Sequence, residues 1–151
     1  MGARMKPQMR ILLIAVSVAI IATSCELFVI GGGSAVRRPA VVELSQRSAP
    51  GVVHLFKAEL DTGNTTAAAE LMVSATGRPL LAVEKYEMAD DLARWKAVMA
   101  GKPISDTRID TVGPESLEVV ITVDYIRKMN FSTIRRNDLW WITKVRDPQR
   151  K

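Results

Sequence analysis

The feature that most constrains this 151-residue chain is a change of hydrophobic period at Ile104. Upstream of it apolar residues recur at helical spacing, and downstream they alternate. Leu117, Val119, Ile121, Val123 and Tyr125 alternate with Glu118, Val120, Thr122 and Asp124, the two-residue period of a strand with one apolar face. Thr107–Val112 reads as a strand before it, ended by Gly113-Pro114. Met129–Arg136 reads as a third and Leu139–Val145 as the last, with Asn137-Asp138 as the turn between them. The link around Arg127–Asn130 has no glycine, so its turn type stays open. Four strands on short links make an antiparallel meander, which must bury its apolar face against another layer.

That layer is upstream. Ser48-Ala49-Pro50 is a helix start, a capping hydroxyl followed by proline in the first turn. Val52, Val53, Phe56 and Leu60 follow at helical spacing with Leu55 on the flank, while His54 and Lys57 fall on the other side and are expected in solvent. Asp61-Thr62-Gly63-Asn64 ends this helix, and Asn64 or Thr65 can cap a second, expected over Thr66–Val73. Gly77-Arg78-Pro79 breaks the chain again. A third helix is expected from about Leu80 to Ala100, with Leu81, Met88, Leu92, Trp95 and Met99 on one stripe, stopped by Gly101-Lys102-Pro103. Three helices followed by a meander define a segregated α+β fold.

The N-terminus supplies an address. Arg4, Lys6 and Arg10 precede the uncharged stretch Ile11–Ile21, which closes as Ile21-Ala22-Thr23-Ser24-Cys25. Basic start, apolar run and small residues are the parts of an export signal. The last four residues resemble a bacterial lipobox, with Ala22 where that pattern usually has Leu. The resemblance implies cleavage before Cys25 and diacylation of its thiol, and Glu26 rather than Asp after it favours outer-membrane delivery in a two-membrane cell. The competing reading is an uncleaved anchor: Leu27–Ile30 carries the apolar character on to about 20 residues, enough to span a bilayer. Either way the rest of the chain faces away from the cytoplasm, in the cell envelope. The expected organisation is a signal peptide over 1–24, lipidated Cys25 and a flexible tether over 25–47, a folded domain over 48–146 and a basic tail over 147–151. Gly31–Pro39 is the flexible heart of the tether.

Composition narrows the chemistry. Removing the signal leaves 18 basic against 16 acidic residues, a net charge of +2, so the whole-chain +5 overstates any case for nucleic acid. Arg127-Lys128, Arg135-Arg136, Arg146 and Arg150-Lys151 come late, as solvated strand ends commonly do. One cysteine excludes an intrachain disulfide, so the domain must stand on its hydrophobic core. No phosphate loop, metal-ligand spacing, nucleophile elbow or His–Asp pair is visible, so no catalytic residue, cofactor or metal is expected.

The helix Ala49–Leu60, the turn Asp61-Thr62-Gly63-Asn64, the Ala67–Leu71 segment and the closing run Asn137-Asp138-Leu139-Trp140-Trp141-Ile142-Thr143-Lys144-Val145 together resemble the NTF2-like (cystatin-like) superfamily, in particular its small lipoprotein domains. The resemblance covers about Ser48–Arg146 and implies three helices on a curved sheet of about four strands, a cone. In that cone Phe56, Leu92, Trp95, Tyr125 and Trp140 are the candidate lining of a pocket for a small apolar ligand, or its filling. Alternation puts Trp140 and Ile142 on one face and Trp141 and Thr143 on the other, so one tryptophan fills the core and Trp141 is the candidate surface contact, lying outside against a helix, an envelope protein partner or lipid headgroups. The superfamily also hosts isomerases and dehydratases, which need a pocket acid or base. It also occurs after a single transmembrane helix in scaffold subunits of secretion-type assemblies. The expected function is a membrane-tethered, non-catalytic binding or interaction module.

Overall fold

In a computed structural model of the chain, residues 42–149 are described. The expected signal segment, Cys25, most of the tether and the end of the basic tail lie outside them. Among the described residues four helices precede four strands: α1 (Ala49–Asp61), α2 (Thr65–Glu70), α3 (Ala82–Glu87), α4 (Ala89–Met99), then β1 (Ile104–Gly113), β2 (Ser116–Val123), β3 (Arg127–Arg136) and β4 (Leu139–Arg146). The strands pair antiparallel in the order β1-β2-β3-β4, so the sheet is an open meander and the fold is α+β. Among the described residues no helix is long and apolar enough to cross a membrane.

The core forms where α1 lies on the sheet. Ser48 caps α1 as its sequence foretells, its Oγ accepting the Gly51 N–H at 3.0 Å. Val52, Val53, Phe56 and Leu60 are all buried beneath the helix, against Val119, Ile121 and Val123 of β2, Met129 and Phe131 of β3 and Ile142 of β4. The Phe56 ring meets Phe131 edge-on at 5.8 Å and Trp95 of α4 at 6.0 Å, so one side chain joins the sheet, α1 and α4. Thr133, the buried polar residue of β3, donates its hydroxyl to the Leu117 carbonyl.

β1 begins at Ile104 rather than Thr107 and β3 at Arg127 rather than Met129, and the structure departs further from the expected elements at three places. The long helix is broken at Met88, whose ψ of −5° lies off the helical value. Leu92, Trp95 and Met99 of α4 still pack on the core with Met88, but Leu81 is exposed, and α3 buries no residue at all. The second helix stops at Glu70. Leu71–Val73 leave it to run beside β4, with the Ile142 N–H donating to the Leu71 carbonyl and the Val73 N–H to the Ile142 carbonyl. The backbone prefers this arrangement because it fills hydrogen bonds on an exposed sheet edge. β2 stops at Val123, because Asp124 and Tyr125 take positive φ and turn the chain into β3.

β4 carries a bulge. Lys144 pairs with Ser132 and Ile142 with Thr133, leaving Thr143 without a backbone partner, its hydroxyl donating to the Ser132 carbonyl. The extra residue lets both Ile142 and Val145 face the core. The Asn137-Asp138 turn is as expected, both residues at positive φ as a two-residue hairpin requires.

Part of the expected tether belongs to the domain. Gln46 accepts the Trp140 N–H on its carbonyl at 2.7 Å and donates its side-chain amide to the Trp140 carbonyl. The segment lies so close over α1 that a Cβ on Gly51 would fall 2.5 Å from the Ser45 carbonyl oxygen and 2.8 Å from that of Glu43.

Two substitutions test this packing. Phe56→Ala is expected to cost about 3–5 kcal/mol in urea unfolding, since it removes the ring on which three elements meet. Gly51→Ala is expected to cost roughly 1–3 kcal/mol and to make the chain around Glu43–Ser45 cleavable by protease in the native state; unchanged protection there would contradict the close approach.

Candidate functional site

Four of the five expected lining residues, Phe56, Leu92, Trp95 and Trp140, meet in the core, and Tyr125 lies apart from them. Phe56 and Leu92 are buried in the core, and Trp95 and Trp140 pack against it half-buried. Tyr125 is 82% exposed in the β2–β3 turn, away from any interior. Its place on the alternating face is lost because β2 ends two residues earlier. The Ser105 hydroxyl accepts the Tyr125 N–H and the Pro103 carbonyl accepts that of Asp124, and these contacts hold a turn that contains no glycine. Trp141 is half-buried on the outer face of the sheet, across from Ile134 of β3. Beside Ile134 runs the 74–79 loop: Gly77, at φ +79°, comes so close that a Cβ there would meet the Ile134 side chain at 2.9 Å.

None of these residues lines either of two depressions on the described surface. One lies at the β3–β4 turn, lined by Glu115, Arg135, Arg136, Asn137 and Asp138. Its cations are engaged: Arg135 pairs with Asp138 at 2.8 Å and Arg136 donates to the Thr76 carbonyl. Elsewhere Arg127 pairs with Asp147 and Arg146 lies 3.5 Å from Glu118. Arg127, Arg135, Arg136 and Arg146 are thus engaged by acids or a carbonyl, which weakens any polyanion field they could make together.

The other depression, between α1 and the start of β1, is lined by Leu44, His54, Lys57, Ala58, Asp61 and Ile104. It brings together polar side chains that the helical wheel assigns to solvent. Lys57 is only 6% exposed, its ammonium hydrogen-bonded to both Asp61 carboxylate oxygens at 2.8 and 2.6 Å. The same carboxylate accepts the Gly101 N–H at 2.8 Å, tying the end of α1 to the end of α4. His54 is half-buried, with Nε2 3.0 Å from Thr107 Oγ1 on β1. Burial, and secondarily the Lys57 ammonium, lower its pKa from the ordinary 6.5, so the ring is neutral at pH 7. A wheel sees one helix only, and here β1 reaches the flank of α1 that faces away from the core stripe. The one available signal was Thr107, a hydroxyl on the apolar side of an edge strand.

Chemically the cluster is a set of internal ties. A histidine within reach of a hydroxyl is the first element of an activated nucleophile, which also needs a third group to orient the ring. Among the described residues Thr107 is the one side-chain partner His54 has. Lys57 and Asp61 are matched to each other, and among the described residues no three His, Cys, Asp or Glu side chains are placed to hold a metal ion. No known family model matches the chain, and no curated protein matches it.

Because His54 has a lowered pKa when folded, the unfolded chain takes up its proton first as pH falls. The stability tied to the neutral ring is complete above about pH 6.5 and is lost as pH drops through the lower folded value. The thermal midpoint of the wild type is therefore expected to fall more steeply from about pH 7 to about pH 5 than that of His54→Gln, which keeps a hydrogen-bonding group without titrating. Parallel curves would show that the His54–Thr107 contact carries no linkage.

Proposed function

We propose that this chain is a membrane-tethered, non-catalytic NTF2-like binding or interaction module of a bacterial cell envelope, anchored through lipid on Cys25. The observation that carries the interaction role is α3. None of its residues is buried, yet Val83 and Tyr86, with Leu81 at its N-terminal cap, expose large apolar surfaces. The helix is held by ion pairs, Arg78 with Glu84 and Lys85 with Glu70, so these side chains are presented on a fixed element. Contiguous exposed apolar surface is what a contact site offers, and tyrosine is among the residues that concentrate binding energy. The burial of Phe56 and Leu92 favours a protein partner over a small apolar ligand, because the side chains that could line a pocket fill it. The NTF2-like assignment draws its support from the order of helices and meander and from the Trp140–Ile142 strand packing against α1.

Metabolic labelling with a fatty acid tests the anchor. The wild-type chain is expected to be labelled and shortened at its N-terminus, and Cys25→Ala to be neither. Recovery of unlabelled protein that retains Met1 would remove the lipoprotein reading and leave the single-pass scaffold subunit.

A further inference from the structure

β1 ends the sheet, and among the described residues no backbone pairs with its outer edge. Such an edge is a template for another strand unless it is blunted by proline, by charged side chains or by a bulge. β1 has no proline or lysine, its register irregularities lie near its ends at Ile104/Asp106 and Thr111/Gly113, and its charges, Asp106, Arg108 and Asp110, alternate in sign so that a strand of matching pattern can neutralise them. The regular stretch Asp106–Thr111 is rich in β-branched residues. Ile109 is 48% exposed although it lies on the sheet's inner face, and Val112 is 69% exposed.

The charges on this stretch alternate. Asp106, Arg108 and Asp110 share the outer face, and Arg108 already grips Asp110 of its own strand at 2.7 Å. Antiparallel pairing of β1 with a second copy about a two-fold axis at Ile109 sets Arg108 opposite Asp110 of the other copy, twice. The same register sets Ile109 against its equivalent and Thr107 against Thr111. Moving the axis to Arg108 would oppose arginine to arginine and Asp106 to Asp110. An axis at Thr107 would pair Arg108 with Asp106, but would run the partner strand into the irregularity at Ser105 and bring both His54–Thr107 contacts to the axis. With the axis at Ile109, those contacts are staggered by four residues, about 13 Å along the strands. The register is isologous, as a two-fold interface must be.

We propose that two copies of this chain associate through β1, edge to edge and antiparallel with the two-fold axis at Ile109, into one continuous eight-stranded sheet, with Arg108 and Asp110 as the residues that fix its register. The proposal stands on the edge strand itself and is independent of whether Cys25 carries lipid.

Sedimentation equilibrium of the full chain in a neutral detergent tests it, with Arg108→Asp, Asp110→Arg and the double exchange compared. The wild type is expected to dimerise. Each single reversal creates two like-charge oppositions across the axis and is expected to weaken the dimer about tenfold. The double exchange restores opposite charges at the same positions and is expected to recover wild-type association, which also shows that the substitutions leave the fold intact. A wild-type chain that stays monomeric overturns the proposal. So does a dimer indifferent to all three variants, which would place association in another part of the chain. Loss with Arg108→Asp but not with Asp110→Arg, and no recovery in the double exchange, would move the axis to Thr107 and overturn the Ile109 register.

Discussion

The fold depends on one aromatic side chain. Phe56 projects from the middle of α1 into the space between Phe131 on a central strand and Trp95 on α4, touching both edge-on. Without a disulfide available in the domain, the hydrophobic core is the main source of stability, and its largest side chains meet at this point. The positions of the other elements follow from it. The sheet supplies alternate residues of β2 and β3 to the underside of α1, and α4 must lie where Trp95 and Leu92 can close the other side. α3 lies beyond that reach, which is why its apolar side chains face solvent.

Around this core the polar groups act as stitches between elements distant in sequence. The Asp61 carboxylate holds Lys57 within α1 and the Gly101 N–H just after α4. The Ser105 hydroxyl donates to the Thr122 carbonyl and accepts the Tyr125 N–H, joining the start of β1 to the β2–β3 turn. Two non-glycine residues at positive φ cost roughly 1–2 kcal/mol each in isolation. They persist in that turn because both of their backbone N–H groups are committed elsewhere.

Much of this was legible in the sequence. Ser48 before Pro50 marked the start of α1, the spacing of Val52, Val53, Phe56 and Leu60 marked its buried face, and the period change marked the meander. These are local signals, each written within a few residues. What escaped was set by tertiary context. Leu71–Val73 have good helix formers before them, and only the vacant edge of β4 draws them into an extended path. Met88 carries neither glycine nor proline, and the helix breaks there because the core ends, not because the residue objects. The Thr143 bulge reverses the alternation that would have left Val145 outside. The candidate site was the least legible part: Lys57 and His54 are polar residues on the flank of an amphipathic helix, and nothing local distinguishes a solvated flank from one that faces an edge strand. Tyr125 fell on the apolar face only by extending the alternation past the point where the strand turns.

The treatment of β4 has a consequence for how far this sheet can grow. Its outer backbone groups at Trp140 and Ile142 are taken by Gln46, Leu71 and Val73 of the same chain, whereas β1 has no such cover among the described residues. A sheet covered along Trp140–Ile142 at one margin and open along the other is biased towards adding a further strand on the open side alone. Propagation into a fibre needs two open edges per molecule, so cover on β4 opposes polymerisation through an exposed β1.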